Sequence, residues 1–232
     1  MLLESLRCEV LEANLELVRR GLVIYTFGNA SGISRGEGLV VIKPSGVPYE
    51  QLGPAHMVVT DLDGRVVDGK LRPSSDLATH LVIYREFPAV GGVVHTHSRF
   101  ATAWAQAARE VPCLGTTHAD YFRGAIPVTG PLSAADIDSA YEHNTGLAIV
   151  RRFAALDPQE RPGVLVAGHG PFAWGASAAE AAHTAVIMEE LARMAFYTLT
   201  LNPAAEPLPD GQRDKHFLRK HGAGAYYGQA GQ

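Results

Sequence analysis

Met57-Val58-Val59-Thr60-Asp61-Leu62-Asp63-Gly64-Arg65-Val66-Val67 carries the clearest architectural signal in the chain. Two short β-branched runs flank Asp63-Gly64, a dipeptide that accepts the positive φ angles of a tight hairpin turn. Met57 to Thr60 and Arg65 to Val67 are therefore expected to pair as antiparallel strands, with Leu39 to Ile42 extending the sheet. Working outward, Leu3, Leu6, Val10, Ala13 and Leu17 recur at helical spacing and Gly21 offers a left-handed stop, so a first helix ends near Arg20. Beyond the hairpin, Ser75-Asp76 opens a helix with Leu77, His80, Leu81 and Tyr84 on one stripe, and the Asp76 carboxylate stands where a helix start favours negative charge. Ser133 with Asp136, and Ser177 with Glu180, have capping-box spacing and are expected to open two long helices, with a buried strand from Gly163 to Ala167 between them. Asn202 to Gly211 reads as a Pro-rich connection, Asp214 to His221 as helix, and Gly222 to Gln232 as a non-helical tail.

Composition fixes the setting. A chain of 232 residues, 47% hydrophobic and with a formal charge of −4, can bury a large core as one domain spanning residues 1–232. The charge balance gives no basic field for nucleic acid, which leaves small-molecule chemistry. Cys8 and Cys113 are too few for a disulfide framework, so a reducing cytoplasm is the expected home. Glu4 and Arg7 interrupt the first apolar stripe, and Glu189, Glu190 and Arg193 interrupt the most apolar later helix, so neither a signal peptide nor a membrane span is expected.

The chemistry starts at Gly91-Gly92-Val93-Val94-His95-Thr96-His97-Ser98. On a strand, side chains two apart share a face, so His95 and His97 form half a metal site. A metal that polarises a carbonyl or alkoxide needs at least one more protein ligand and an open position. Gly168-His169-Gly170 follows the apolar run Val164-Leu165-Val166, which puts His169 at another strand end as the best third ligand, with Asp76 as an accompanying carboxylate. Such a donor set suits zinc, manganese, cobalt or iron. His56, His80, His143 and His183 lack such partners and are assigned structural or surface roles. Three further segments, Gly28-Asn29-Ala30-Ser31, Lys43-Pro44-Ser45-Gly46 and Pro73-Ser74-Ser75, combine hydroxyls, amides and glycine at strand ends or helix starts, where free backbone N–H groups can cradle a phosphate.

These segments, together with Gly115-Thr116-Thr117-His118-Ala119-Asp120-Tyr121, Gly168-His169-Gly170-Pro171-Phe172 and Lys220-His221-Gly222-Ala223-Gly224-Ala225-Tyr226-Tyr227-Gly228-Gln229, resemble the L-ribulose-5-phosphate 4-epimerases of the class II aldolase superfamily along nearly the whole chain. Ala167-Gly168 stands where that pattern has an additional histidine, and Ala230-Gly231-Gln232 is a short extension. The resemblance implies an α/β fold, a three-layer α/β/α sandwich around a largely antiparallel central sheet. It also implies a C4 homotetramer whose sites lie between neighbours, with the tail from about Gly222 reaching the next subunit. By position, His95, His97 and His169 would hold zinc (or Mn2+ or Co2+), one ion per subunit, with Asp76 as ligand or close partner. Gly28, Asn29, Lys43, Ser45, Gly46, Ser74 and Ser75 would bind the sugar phosphate. Asp120 and Tyr227 would transfer protons, and His216 would reach a neighbouring site.

The chemistry such an enzyme performs explains the combination. The C4 hydrogen of a ketopentose phosphate has no adjacent carbonyl to acidify it, whereas the C2 ketone stabilises cleavage of the C3–C4 bond. Inversion at C4 is then retro-aldol cleavage, rotation of a phosphate-anchored aldehyde, and re-addition. Acids on both faces of the aldehyde are required. The competing expectations are a class II sugar-phosphate aldolase of the fuculose-phosphate type, whose relatives place a glutamate near Asp76, and a non-catalytic binding module on the same fold.

Overall fold

The computed structural model describes residues 1–227. Alternation along the strands builds the architecture. Val40, Ile42, Val58, Val93, Val164, Val166, Phe172 and Trp174 point to one side of the sheet, and Val41, Val59, Val94, Leu165 and Ala173 to the other. These strands are buried on both faces and therefore need helices on both.

The chain opens with α1 (Glu4–Arg19), then β1 (Asn29–Ser34), β2 (Leu39–Ile42), β3 (Val58–Asp61) and β4 (Val66–Asp68). It continues through α2 (Leu77–Glu86), β5 (Gly92–His95), α3 (Arg99–Gln106), α4 (Thr116–Ala119), α5 (Ala134–Asp138) and α6 (Tyr141–Arg152). The last elements are β6 (Gly163–Val166), β7 (Gly170–Gly175), α7 (Ala178–Leu201) and α8 (Asp210–His221). The seven strands form one sheet in the order β4-β3-β2-β1-β5-β7-β6, and every neighbouring pair is antiparallel. One core cluster joins the sheet to α1, α3 and α7; the other joins it to α2 and α6. The result is the three-layer α/β/α sandwich around an antiparallel sheet.

The expected hairpin is β3–β4, and helix α1 stops at Arg19 before Gly21, whose φ is +69°. Several local expectations are corrected. Ser133 and Asp136 do form a reciprocal capping box, but the helix they open is only α5; the chain breaks at Ser139-Ala140, and α6 starts afresh at Tyr141. At α7 the box is half formed: Ser177 accepts from the Glu180 N–H, while the Glu180 carboxylate accepts from the N–H of Ala176. Helix α8 begins at Asp210, inside the stretch read as a connection, directly after Pro209, which occupies the N-cap position in extended backbone. Two strands, β1 and β7, form where the sequence reading predicts none. His97 lies beyond the end of β5, so strand geometry alone does not pair it with His95.

Antiparallel pairing decides where the chemistry falls. The exits of β2, β5 and β6 and the entries of β1 and β7 lie at one edge of the sheet, with Asn29 opposite His95 and His95 opposite Phe172. At Gly170 a Cβ would come within 2.8 Å of the Thr96 carbonyl oxygen. At Gly28, φ is +80° and a Cβ would meet the His95 carbonyl oxygen at 2.9 Å, so glycine allows both chain segments to crowd against the histidine turn.

Candidate metal centre and active site

His95, at the end of β5, is fully buried and stacks on Phe172 at 4.2 Å between ring centroids. Its Nδ1–H donates to the Pro171 carbonyl oxygen at 2.9 Å, which turns the Nε2 lone pair toward the cavity. His97 Nε2 lies 3.0 Å from that atom. His169 follows β6 in the link to β7, and its ring centroid is 4.6 Å from His95 and 5.1 Å from His97. One ligand atom from each of the three rings falls within 4.8 Å of the others. The buried His169 Nδ1 has no hydrogen-bond partner among the described residues. Nitrogen donors around 2.0–2.1 Å from a tetrahedral ion sit roughly 3.3 Å apart, so this convergence fits a divalent metal. Burial pushes the His95 and His169 imidazoles below the ordinary range, which keeps them neutral and able to ligate near pH 7.

Asp76 does not cap α2: its side chain makes no cap hydrogen bond. It accepts instead from Asn29 Nδ2 at 2.7 Å, and the same amide nitrogen donates to Ser74 Oγ at 3.0 Å. Burial raises the Asp76 carboxyl, but the His95 and His80 imidazoles, where they are protonated, and the Asn29 bond outweigh it, so the carboxyl is lowered overall. His80, read as structural, is a buried residue behind this site: Ser31 Oγ bridges its Nδ1 and the Tyr84 hydroxyl, each at 2.7 Å. The two other polar segments are laced together. Pro44 and Pro73 form an isolated antiparallel bridge, the Ser74 N–H donates to the Lys43 carbonyl oxygen at 3.0 Å, and the Ser45 N–H to the Arg72 carbonyl oxygen at 2.9 Å. Lys43 is almost wholly buried with its ammonium 4.7 Å from the Tyr49 ring centroid, and burial lowers its pKa to about 8.

One cavity of about 460 Å³ is lined by Gly28, Asn29, Lys43, Ser45, Gly46, Ser74, Ser75, Asp76, His95, His97 and His169. Tyr141 and Glu142 at the start of α6, and Thr26 and Phe27 before β1, also line it. Sequence reasoning missed these four. The clue available for Tyr141 and Glu142 was an acidic residue in a helix's first turn, and it was hidden by placing that helix start at Ser133. The N-termini of α2 and α6 both face this edge, which favours an anionic ligand.

Asp120, His216 and Tyr227 are not part of this lining. Asp120 ends α4, where Arg219 clamps its carboxylate through Nε at 3.0 Å and Nη2 at 2.8 Å, and His216 Nδ1 donates at 3.1 Å. Burial raises the Asp120 carboxyl, but the bonds from Arg219 and His216 outweigh it and lower its pKa. Tyr227 is exposed, and the Arg219 and Lys220 cations lie 4.8 and 4.6 Å from its ring centroid. The Tyr226 and Tyr227 N–H groups fold back onto the Arg219 carbonyl oxygen of the same chain. Gly228-Gln229 of the tyrosine motif and the extension Ala230-Gly231-Gln232 fall outside the described residues.

Comparison with known proteins fits this geometry. The chain is 55% identical over 227 residues to the L-ribulose-5-phosphate 4-epimerase UlaF of Salmonella paratyphi B, covering 98% of this chain and 100% of that protein. It is 54% identical, with the same coverage, to the protein of that name in Salmonella typhi. A solved L-fuculose 1-phosphate aldolase superposes with a TM-score of 0.78 at 25% identity, covering 94% of this chain and 96% of that one. The l-fuculose-1-phosphate aldolase of Thermus thermophilus shares the fold with a TM-score of 0.67 at 24% identity, covering 86% of this chain and 98% of that one. The pattern of the class II aldolase and adducin N-terminal domain runs from residue 8 to residue 196, and the chain belongs to that family.

Proposed function

We propose that the protein is a metal-dependent L-ribulose-5-phosphate 4-epimerase that interconverts L-ribulose 5-phosphate and D-xylulose 5-phosphate by cleaving and re-forming the C3–C4 bond. The observation that carries the reading is the union, in one cavity, of the imidazole triad with three polar segments and a buried lysine. Identity of 54–55% to relatives with that activity in their names narrows the family's chemistry to this reaction.

His95, His97 and His169 would hold the ion, with Asp76 as a fourth ligand or its immediate neighbour; zinc is the ion proposed, and manganese or cobalt suit the same donors. When bound, the ion supplies Lewis-acid stabilisation of the charge left on the ketone fragment. Gly28, Asn29, Lys43, Ser45, Gly46, Ser74 and Ser75 would grip the phosphate, so that glycolaldehyde phosphate stays anchored while its aldehyde turns over. Asp120 and Tyr227 would move protons to and from the C4 oxygen on its two faces, with His216 beside them. These three groups stand apart from the cavity of their own chain, which supports a closed C4 homotetramer of single-domain subunits, each site completed by a neighbour. We place the enzyme in the cytoplasm.

The fuculose-type aldolase is the second reading, favoured by the fold match. An aldolase must also protonate carbon, and Asp76, one methylene shorter than glutamate and engaged as an acceptor by Asn29, is poorly suited to donate. Incubation with L-ribulose 5-phosphate separates the readings. Accumulation of D-xylulose 5-phosphate with little exchange of added labelled glycolaldehyde phosphate is expected; release of free glycolaldehyde phosphate would establish the aldolase instead.

A further inference from the structure

Ser98 is an N-cap residue that does not cap. It precedes α3 and belongs to the residue class that usually accepts from the second or third helical N–H group. Yet its side chain makes no cap bond, and its Oγ is buried without a partner among the described residues. Those two N–H groups, of Phe100 and Ala101, are instead taken by Glu189 of α7, through Oε1 and Oε2, each at 2.9 Å. The same acid interrupts the apolar run of α7 in the sequence and has no part in the cavity.

The borrowed cap matters because of what lies just upstream. His95 is fixed by strand pairing and by its bond to Pro171, whereas His97 stands on the short link between β5 and α3 and is itself exposed. The bonds within that link are long: the Thr96 N–H reaches the Pro171 carbonyl oxygen at 3.4 Å, and the Ser98 N–H reaches Thr96 Oγ1 at 3.4 Å. Firm anchoring resumes only at α3. There the two carboxylate oxygens of Glu189 hold the first turn, and Trp104 Nε1 donates to the Ala192 carbonyl oxygen at 3.0 Å further along. A carboxylate at a helix N-terminus also offsets the positive end of the helix dipole. A cap from Ser98 would satisfy one of these N–H groups and would tie α3 only to itself. A cap from Glu189 ties it to the 24-residue α7.

We infer that Glu189 is a positioning residue for metal binding: by capping α3 from α7 it fixes the turn that presents His97 to His95 and His169. The inference rests on the metal-centre reading of the triad. The test uses the metal-free chain and cobalt(II), whose d–d absorption reports coordination. Glu189→Ala is expected to speed amide exchange at Phe100 and Ala101 and to weaken cobalt binding by about 10- to 100-fold, as the loss of groups supporting metal ligands commonly does. Its d–d spectrum should also change as the His97 nitrogen is lost. Glu189→Gln keeps one oxygen acceptor and should fall between. Ser177→Ala, which removes the cap of α7 itself, controls for destabilisation: it should lower Tm while leaving cobalt affinity and spectrum unchanged. Wild-type cobalt affinity and spectrum in Glu189→Ala would overturn this inference alone; failure of the wild-type chain to take up cobalt would overturn the metal-centre reading as well.

Discussion

The histidine cavity and the Asp120 cluster are made from opposite materials. The cavity is assembled at strand ends: His95 is desolvated and held by a main-chain partner, and burial keeps the His95 and His169 imidazoles neutral. The cluster is assembled from a four-residue helix and the end of α8, and it is held by charge: a two-pronged Arg219 clamp, and an Arg123 that bridges Glu160 at 2.6 Å and Asp214 at 3.1 Å. A metal site needs lone pairs fixed in place, and a sheet edge supplies that rigidity. The proton-transfer role proposed for Asp120 works against that charge, because a carboxyl kept ionised by a neighbouring guanidinium exchanges protons less readily near neutral pH.

The sharpest way to break this contrast is at His97. It is exposed and supports no core, so His97→Asn should fold normally but lose bound metal and at least about 100-fold of the activity, as chelation of the wild type should. Metal content by elemental analysis beside activity would decide it, and full retention of both would dissolve the cavity as a metal centre. The next effect tests the division of labour. If the proposed tetramer shares each site between two chains, Tyr227→Phe and His97→Asn should each be nearly inactive alone, whereas co-refolded mixed rings should regain activity in roughly a quarter of their sites. Mixed rings that form yet regain nothing would return Tyr227 to its own chain.

The smallest effect concerns Lys43, a strongly shifted cation in the cavity. Its folded pKa of about 8 lies below the ordinary 10.5 because of burial. Above about pH 8 the folded chain loses the positive charge that the unfolded chain still carries. Anion affinity should therefore fall severalfold from about pH 7 to about pH 9.5, while stability against unfolding rises over the same window, since the unfolded state binds more protons there. Sulfate, which does not titrate in this range, is the suitable probe. Lys43→Met should flatten the calorimetric binding profile.

What could be read from the sequence followed the strength of local signals. The Asp63-Gly64 hairpin and the α1 stripe were plain because one dipeptide and one periodicity state them. The edge carrying His95 and His169 was legible because apolar runs end at or just before those residues. Strand β1, Asn29-Ala30-Ser31-Gly32-Ile33-Ser34, was not: its residues are small and polar, and its stability comes from its place between β2 and β5 rather than from its own propensity. Strand β7 contains Pro171 in the sheet interior, where proline usually argues against a strand. Asp76 sat where a cap would sit, and only its long-range partner Asn29, 47 residues away in sequence, reveals the alternative. The separation of Asp120 and Tyr227 from the cavity of their own chain is a property of tertiary placement that no spacing encodes.

The acceptor for His95 Nδ1 is the carbonyl oxygen of Pro171, a main-chain atom that every residue type would provide at that position. The choice of which imidazole nitrogen faces the cavity is thus written in the backbone path of β7 rather than in any side chain. Mutation can repaint the strand without erasing that instruction so long as β5 and β7 remain in register, and losing it requires moving the sheet itself.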